Sequence, residues 1–294
     1  MSPSVSIVLP TYNRAAVISK SIDCILEQTY TDFELIIADD CSTDGTKDIL
    51  TPYLAHDSRI RYVRLPQNSG AAAARNFGAA NACGKYLAFQ DSDDIWDTTK
   101  LQKQMDYLAA NPHVSAVFTS FLSIDAEKTI LQPPTEHVAA LSTHIFNNLL
   151  VSPLIAPPTL LLKREVFGAT GGFLEELRSH EDYEYSLRLA RDYEIGFIQE
   201  PLLRSYHYGS GVNSNYHEIL KTNFYILNLY REWIAADPVL EAKQLERLFY
   251  YTLLGNEGQY FFDELASYVL ATGHRDLYYQ YESLYNQIRE GNLP

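Results

Sequence analysis

The sequence predicts an α/β fold with an open, mixed and mostly parallel sheet, helices on both faces, and a helical region after it. Short apolar runs alternate with helical patterns through the first third of the chain, which is typical of such sheets. Several runs end in polar clusters, and ligands bind at the carboxyl ends of parallel strands. From about Asn215 the pattern is helical throughout. We therefore divide the chain into an α/β domain, 1–214, and a C-terminal helical region, 215–294.

The first four strands are predicted from apolar runs bounded by polar residues. They are Val5 to Leu9, Phe33 to Ala38, Ile60 to Leu65 and Tyr86 to Phe89. Apolar residues recur at helical spacing between the first two strands, and these are Val17, Ile18, Ile22, Ile25 and Leu26. Thr43 or Asp44 is expected to cap the second helix, and the alanine-rich stretch 71–82 forms the third.

The pattern changes after Leu101, where proline-rich joints interrupt it and indicate a mixed sheet with long loops. A helix is predicted up to Ala110 and another over 182–191. The remaining strands are predicted near 114–120, 159–162, 195–198 and 202–206.

The composition argues against several classes of function. The 294 residues are 46% hydrophobic and 20% charged, as in an ordinary globular protein, with a formal net charge of −14. This charge argues against nucleic-acid binding through a basic surface and against a polybasic membrane anchor. Three dispersed cysteines indicate a reducing compartment. Without a signal peptide or a long apolar run, we expect a cytoplasmic protein with no transmembrane segment.

The most informative local feature is the acidic run Asp91-Ser92-Asp93-Asp94, which follows the fourth strand and Gln90. Three carboxylates this close repel one another, and burying them is costly unless a cation neutralises them. Hard oxygen ligands of this kind suit Mg²⁺ or Mn²⁺ carrying phosphates. A solvated acidic turn is the alternative that this run leaves open when taken alone.

The familiar phosphate-binding loops are absent from the sequence. No G-x-G-x-x-G follows the first strand, and there is no G-x-x-x-x-G-K-S/T loop or G-x-G-T-R stretch. These absences argue against a dinucleotide cofactor, a P-loop ATPase and a sugar nucleotidylyltransferase. A metal bound at the acidic run would then hold the phosphates of a nucleotide.

Four motifs in order resemble family-2 glycosyltransferases of the GT-A fold, which have a Rossmann-like nucleotide-binding domain. The motifs are Val5 to Arg14, Asp39 to Thr46, Asn68-Ser69-Gly70 with Ala74-Arg75-Asn76, and Asp91 to Asp94. Glu181-Asp182, after Gly171-Gly172-Phe173, resembles a later motif of that family. The resemblance covers about 3–210 and does not extend to the helical region.

The resemblance implies a nucleotide-sugar site, whose residues here are Pro10, Thr11, Asn13, Asp40, Arg75, Asp91 and Ser92. Thr11 and Asp40 lie where the family holds the base, with Asp40 accepting a hydrogen bond from the uracil N3–H. Asp93 is implied as a ligand of Mn²⁺ or Mg²⁺. His207 matches a late metal-site histidine of some members, and a plain loop histidine is the alternative.

The resemblance implies catalysis by Asp182 beside Glu181. A base at this position would take a proton from the acceptor hydroxyl in an inverting transfer. The helix dipole favours the anionic form and lowers basicity, whereas Glu181 acts in the other direction. The alternative is that Glu181 and Asp182 only supply favourable charge to the first helical turn.

The implied partners are a nucleotide-sugar donor, with UDP-sugar favoured, and a glycan or lipid-linked acceptor in bacterial polysaccharide assembly. Peripheral association with the inner face of the cytoplasmic membrane is implied for many members. A non-catalytic sugar-nucleotide or glycan-binding module of the same fold and a nucleotidyltransferase are the rival functions. In the helical region Phe224, Leu227, Tyr230 and Ile234 form an apolar stripe, which either covers the α/β domain or forms a contact with another chain. Acidic residues there outnumber basic ones 11 to 6, so for such a contact we expect a homo-oligomer or a protein partner rather than anionic lipid.

Overall fold

The computed structural model describes residues 2–125, 128–133, 145–206, 215–254 and 258–273, with scattered positions beyond. The chain forms two compact units, Met1–Gly209 and Ser210–Pro294. The boundary predicted after residue 214 falls in the stretch 207–214, outside the described residues, and it stays a prediction.

The first four strands form the parallel half of the sheet. They are β1 (Val5–Thr11), β2 (Phe33–Asp39), β3 (Ile60–Arg64) and β4 (Tyr86–Phe89), in the spatial order β3-β2-β1-β4. Every residue of β1 and β2 is buried, because both faces of the sheet are covered. Burial on both faces explains why these strands are continuous apolar runs rather than alternating ones.

Three helices accompany these strands, and they are α1 (Ile18–Leu26), α2 (Thr46–His56) and α3 (Ala71–Ala80). The predicted apolar face of α1 is buried at Ile18, Ile22 and Ile25. The alanines of α3 allow a close approach to the sheet. A Cβ added at Gly78 would lie 2.4 Å from a Val8 methyl carbon, so α3 and β1 are held too closely for a larger residue.

The second half of the unit makes the sheet mixed. Its strands are β5 (Ile95–Trp96), β6 (Ala116–Ile124), β7 (Thr129–Gln132), β8 (Leu161–Lys163) and β9 (Ile195–Tyr206). Its helices are α4 (Lys100–Ala110), α5 (Ile145–Val151), α6 (Arg164–Thr170) and α7 (Glu181–Asp192). Within the described residues the sheet continues from β4 in the order β8-β6-β9-β5, and β7 pairs with β6.

One predicted pair of elements is wrong. The strands expected at 195–198 and 202–206 form the single strand β9. The interruption in the apolar pattern reflects a register shift, because Thr119 pairs with Ile198 whereas Ser120 pairs with Pro201. A proline cannot donate to a strand ladder, so it is tolerated at such an irregularity.

The second unit is helical, as predicted. Its helices are α8 (Tyr216–Leu229), α9 (Arg231–Ala235), α10 (Pro238–Leu254) and α11 (Gly258–Thr272). The apolar stripe Phe224, Leu227, Tyr230 and Ile234 is buried and therefore offers no free face. Homo-oligomer formation stays a prediction. Among the described residues no helix is long and apolar enough to cross a bilayer.

Candidate active site

The polar clusters after β1, β2 and β4 meet at one edge of the sheet. Thr11 at the end of β1 pairs with Asp39 at the end of β2, and the Asp40 N–H donates to the Thr11 carbonyl at 2.8 Å. On the other side of β1, the Gln90 N–H donates to the Val8 carbonyl at 2.9 Å. The predicted convergence of these clusters is thus present in the structure.

Asn13 joins the loop after β1 to the loop after β2. Its side-chain carbonyl accepts from the Thr43 N–H at 2.8 Å and the Asp44 N–H at 3.3 Å. Its own N–H donates to the Ser42 hydroxyl at 3.0 Å, and its φ of 53° lies in the left-handed region that asparagine tolerates. Asn13 therefore shapes this edge of the site, and its contact with a nucleotide stays a prediction.

Asp40 is buried and holds the turn that leads into α3. Its carboxylate accepts from the Ser69 N–H at 2.7 Å, the Gly70 N–H at 2.8 Å and the Asn68 amide at 2.9 Å. A carboxylate has about four acceptor positions, so one position remains for a ligand N–H. The predicted contact with uracil is chemically compatible with this occupancy.

Thr11 has an unused hydrogen-bonding group in the same place. The residue is 3% exposed, and its hydroxyl has no hydrogen-bond partner among the residues that the structure describes. Pro10, also predicted for the donor site, is buried beside it in β1. A buried hydroxyl without a partner is unfavourable, so a ligand that bonds to it would remove the cost.

The acidic run after β4 is divided between buried and exposed carboxylates. Asp94 is buried, and burial together with Asp91 and Asp93 raises its pKa well above the usual range, against a hydrogen bond from Ser205. Asp93 is about one-third exposed and lies 3.8 Å from the Arg14 guanidinium. Ser92 is buried. The alternative of a solvated acidic turn therefore does not describe the whole run.

A buried arginine links the acidic run to Glu181, the residue before the predicted base. Arg75 donates to the Asp91 carboxylate and to the Glu181 carboxylate, both at 2.8 Å, and its side chain is 7% exposed. Glu181 is the first residue of α7, one position earlier than the predicted start. The structure thus brings together the α3, acidic-run and Glu-Asp motifs, which lie far apart in sequence.

The Asp182 carboxyl has a strongly shifted proton affinity. Burial is the largest cause and Glu181 the second, and together they raise its pKa to about 7. Arg75 and the Tyr183 N–H, which donates to Asp182 at 2.8 Å, act in the opposite direction. The helix terminus was expected to lower the pKa of Asp182 and Glu181 to raise it. Burial adds to the effect of Glu181, and the pKa is raised.

The residues present fit a metal that arrives with a diphosphate. Among the described residues no three His, Cys, Asp or Glu side chains form a metal-binding group. Mg²⁺, however, is usually held by one or two carboxylates together with substrate phosphates, and Asp93 offers such a carboxylate. His207 lies outside the described residues, two positions after Ser205, whose side chain bonds to Asp94.

Arg14 and Ser205 contribute to this site although neither is among the residues predicted from the sequence. Arg14 stands directly after Asn13 within the first motif. Its place in a motif that forms the site is a sequence signal from which it could have been predicted there. Ser205 gives no such signal, because only the antiparallel pairing of β5 with β9 brings it to Asp94.

Comparison with known proteins identifies related sequences and structures. Residues 6–170 match the family model described as glycosyl transferase family 2. TuaG of Bacillus subtilis, a glycosyltransferase assigned to teichuronic acid biosynthesis, is 32% identical over 231 residues, covering 78% of this chain and 88% of TuaG. WfgD of Escherichia coli, named UDP-Glc:alpha-D-GlcNAc-diphosphoundecaprenol beta-1,3-glucosyltransferase, is 31% identical over 76% of this chain and 85% of its own length.

The fold is shared with a solved structure of TarS. TarS residues 1–349 of S. aureus, in complex with UDP-GlcNAc, superpose with a TM-score of 0.66 at 17% identity, covering 99% of this chain and 92% of that chain. At this identity the similarity concerns the fold alone, and it confirms the predicted GT-A class.

Proposed function

The chain belongs to glycosyl transferase family 2, and we propose that it inverts the anomeric centre of a UDP-hexose during transfer to a hydroxyl of a glycan or lipid-linked acceptor. The observation that carries the proposal is the buried Arg75 linkage, which brings Glu181 and Asp182 to the acidic run. In this arrangement the carboxylates of the acidic run would serve the donor, and those of Glu181 and Asp182 would serve the acceptor.

Asp182 is the proposed general base. A base acts best when its pKa lies near the working pH, and burial raises the pKa of Asp182 to about 7. The carboxylate takes the proton of the acceptor hydroxyl while that oxygen attacks the anomeric carbon. The bond from this carbon to the diphosphate oxygen breaks, and the nucleoside diphosphate leaves with the electron pair. One protein carboxylate therefore suffices, and the sugar configuration inverts.

Asp93 is the proposed ligand of the divalent metal, with His207 as a further candidate. When bound, Mn²⁺ or Mg²⁺ would stabilise the negative charge that develops on the leaving diphosphate. Asp93 suits this role because its carboxylate is accessible, whereas Asp94 is buried. Arg14, 3.8 Å from Asp93, adds a second positive charge on the same side.

The preference for a UDP donor is supported by the base site and by relatives. Asp40 has one acceptor position left, and the Thr11 hydroxyl has no partner in the described part of the chain. The pair therefore offers an acceptor and a hydroxyl to a pyrimidine edge. The names of WfgD and of the TarS complex specify UDP-glucose and UDP-GlcNAc respectively. WfgD also acts on a lipid-diphosphate-linked sugar by its name, which supports an acceptor of that class.

The test is transfer from a panel of UDP-, GDP- and dTDP-hexoses to lipid-linked sugar acceptors, with and without Mn²⁺. We expect acceptor-dependent release of UDP that requires the metal and a product of inverted configuration by NMR. Asp182→Asn should lower turnover by roughly 10²–10⁴, and UDP affinity should hardly change. Asp192→Asn, at the exposed end of the same helix, is the matched control. Binding of UDP-sugar without transfer to any acceptor would favour the binding-module alternative.

A further inference from the structure

Arg75 occupies the centre of the site rather than its surface. The residue lies on α3 and is 6% exposed. One terminal nitrogen donates to Asp91, 16 residues away in sequence, and the other donates to Glu181, 106 residues away. A single rigid guanidinium thus spans the loop after β4 and the first turn of α7.

The rest of the guanidinium is enclosed by protein. The Phe173 ring lies with its centroid 5.5 Å from the central carbon of the guanidinium. The Nε–H is buried and has no partner among the described residues. The Arg75 side chain is 7% exposed and donates charge-assisted bonds of 2.8 Å to two carboxylates, so it offers little surface to a donor phosphate.

The neighbouring residue on α3 fixes the wall of this enclosure. Asn76 donates to the Phe173 carbonyl at 2.8 Å and accepts from the Phe173 N–H at 2.9 Å. A Cβ added at Gly172 would lie 2.6 Å from the Asn76 amide oxygen, so the chain approaches α3 closely here. Consecutive residues of one helix therefore hold both the acidic loop and the segment that precedes α7.

We propose that Arg75 is a positioning residue, which fixes the separation between the donor-side carboxylate Asp91 and the base-side pair Glu181 and Asp182, without contacting the donor. This inference rests on the proposed function for the role of Asp182. Displacing a reacting group by about 1 Å can cost about 10²-fold in rate. A link of this kind therefore affects turnover more than donor affinity.

The first test compares Arg75→Met, Glu181→Gln and the double variant. For Arg75→Met we expect kcat to fall by about 10² or more, with UDP affinity in calorimetry within about fivefold of wild type. The double variant should be no slower than Arg75→Met alone, because both substitutions break one link. A loss of UDP affinity equal to the loss in kcat, or independent multiplicative effects, would overturn the proposal.

Arg75→Lys provides a second variant that keeps the positive charge. An ammonium on a flexible stem lacks the rigid fork that can hold two separate carboxylates. We therefore expect Arg75→Lys to regain stability relative to Arg75→Met but to remain at least about tenfold below wild type in kcat. Full activity in Arg75→Lys would show that charge alone is sufficient and would contradict a positioning role.

A readout without substrate separates this inference from the proposed function. Backbone amide exchange should accelerate in Arg75→Met by at least about tenfold in two segments, 91–94 and 181–184. Arg188→Met removes another buried ion pair of α7, the one with Glu184, and should leave 91–94 unchanged. If Arg75→Met does not fold, Arg75→Lys is measured in the same way. Exchange unchanged in both segments, or equally raised at 91–94 by Arg188→Met, would refute the link even if the transferase assay succeeded.

Discussion

Glu181→Gln should move the acid limb of the pH–rate profile to lower pH. The raised pKa of Asp182 has burial as its first cause and Glu181 as its second, while Arg75 lowers it. The substitution removes the negative charge of Glu181. It also leaves the positive charge of Arg75 less neutralised, because Glu181 is one of the two carboxylates that pair with it. Both changes favour the ionised form of Asp182, so its pKa must fall.

The size of the shift follows from the enclosure of the pair. Glu181 is 13% exposed, so water screens its charge only partly. A neighbouring like charge in such a place is worth about one pKa unit, or about 1.4 kcal/mol. With a wild-type pKa of about 7, roughly a tenth of the base is ionised at pH 6, and the fraction rises to about half in Glu181→Gln. On lowering the pH from 8 to 6, the wild-type rate should therefore fall about tenfold and the Glu181→Gln rate only about twofold.

The assay is release of nucleoside diphosphate at low donor concentration from pH 5.5 to about 9, because kcat/KM reports the ionisation of the free enzyme. If Arg75 positions the base, the maximum kcat/KM of Glu181→Gln will be lower than that of wild type. The pH at which kcat/KM reaches half its maximum does not depend on that maximum. Glu165→Gln, an exposed first-turn glutamate of α6, is the control and should leave the limb in place. A limb that stays unmoved or shifts to higher pH would refute the assignment of Asp182 as the titrating base.

Three further predictions follow from buried and exposed groups of the site. Thr11→Val should not lower stability, because the hydroxyl has no described partner, yet UDP affinity should fall by about tenfold; unchanged affinity would remove Thr11 from the donor site. Asp93→Ala should abolish Mn²⁺-dependent UDP binding in calorimetry. It should change the free energy of unfolding by less than about 1 kcal/mol, because the ion pair between Asp93 and Arg14 is exposed. Asp57→Ala is the control, and metal-dependent binding that survives in Asp93→Ala would be contrary to the metal assignment. Asp182→Asn should raise the melting temperature at pH 8 but not at pH 4. The pKa of Asp182 is about 7 in the folded state against an ordinary value of 3.8, so its ionisation destabilises the fold only as pH rises through that window. Equal effects at both pH values would argue against the raised pKa.

The parallel half of the sheet could be predicted because each strand is read from its own residues. β1 and β2 are buried on both faces, so their apolar runs are continuous and end at the polar residues of the site. β5 contains two residues, and β7 four. Such short strands depend on their partners β9 and β6 rather than on local pattern, and no periodicity identifies them.

The motifs could be found in the sequence, but the partners of their side chains could not. Asp40 was expected to accept a hydrogen bond from a base, and that contact stays a prediction; its three protein partners at Asn68, Ser69 and Gly70 were not predicted. Arg75 was expected to reach either the nucleotide or the carboxylates of the acidic run, and it pairs with Asp91 of that run and also with Glu181 on a separate element. These unpredicted partners lie more than 15 residues away in sequence, and only the assembled sheet brings them together.

The balance of charge in the site is the physical reason why we expect the donor to bring its own cation. The acidic run contributes three carboxylates and the start of α7 two more, against the guanidinium groups of Arg14 and Arg75. Arg75 is already engaged twice, and Arg14 is only loosely paired. The pKa values of Asp94 and Asp182 are both raised, which is how a fold accommodates carboxylates that it cannot neutralise. A divalent cation, which Asp93 would help to hold, would supply positive charge that this group of carboxylates lacks.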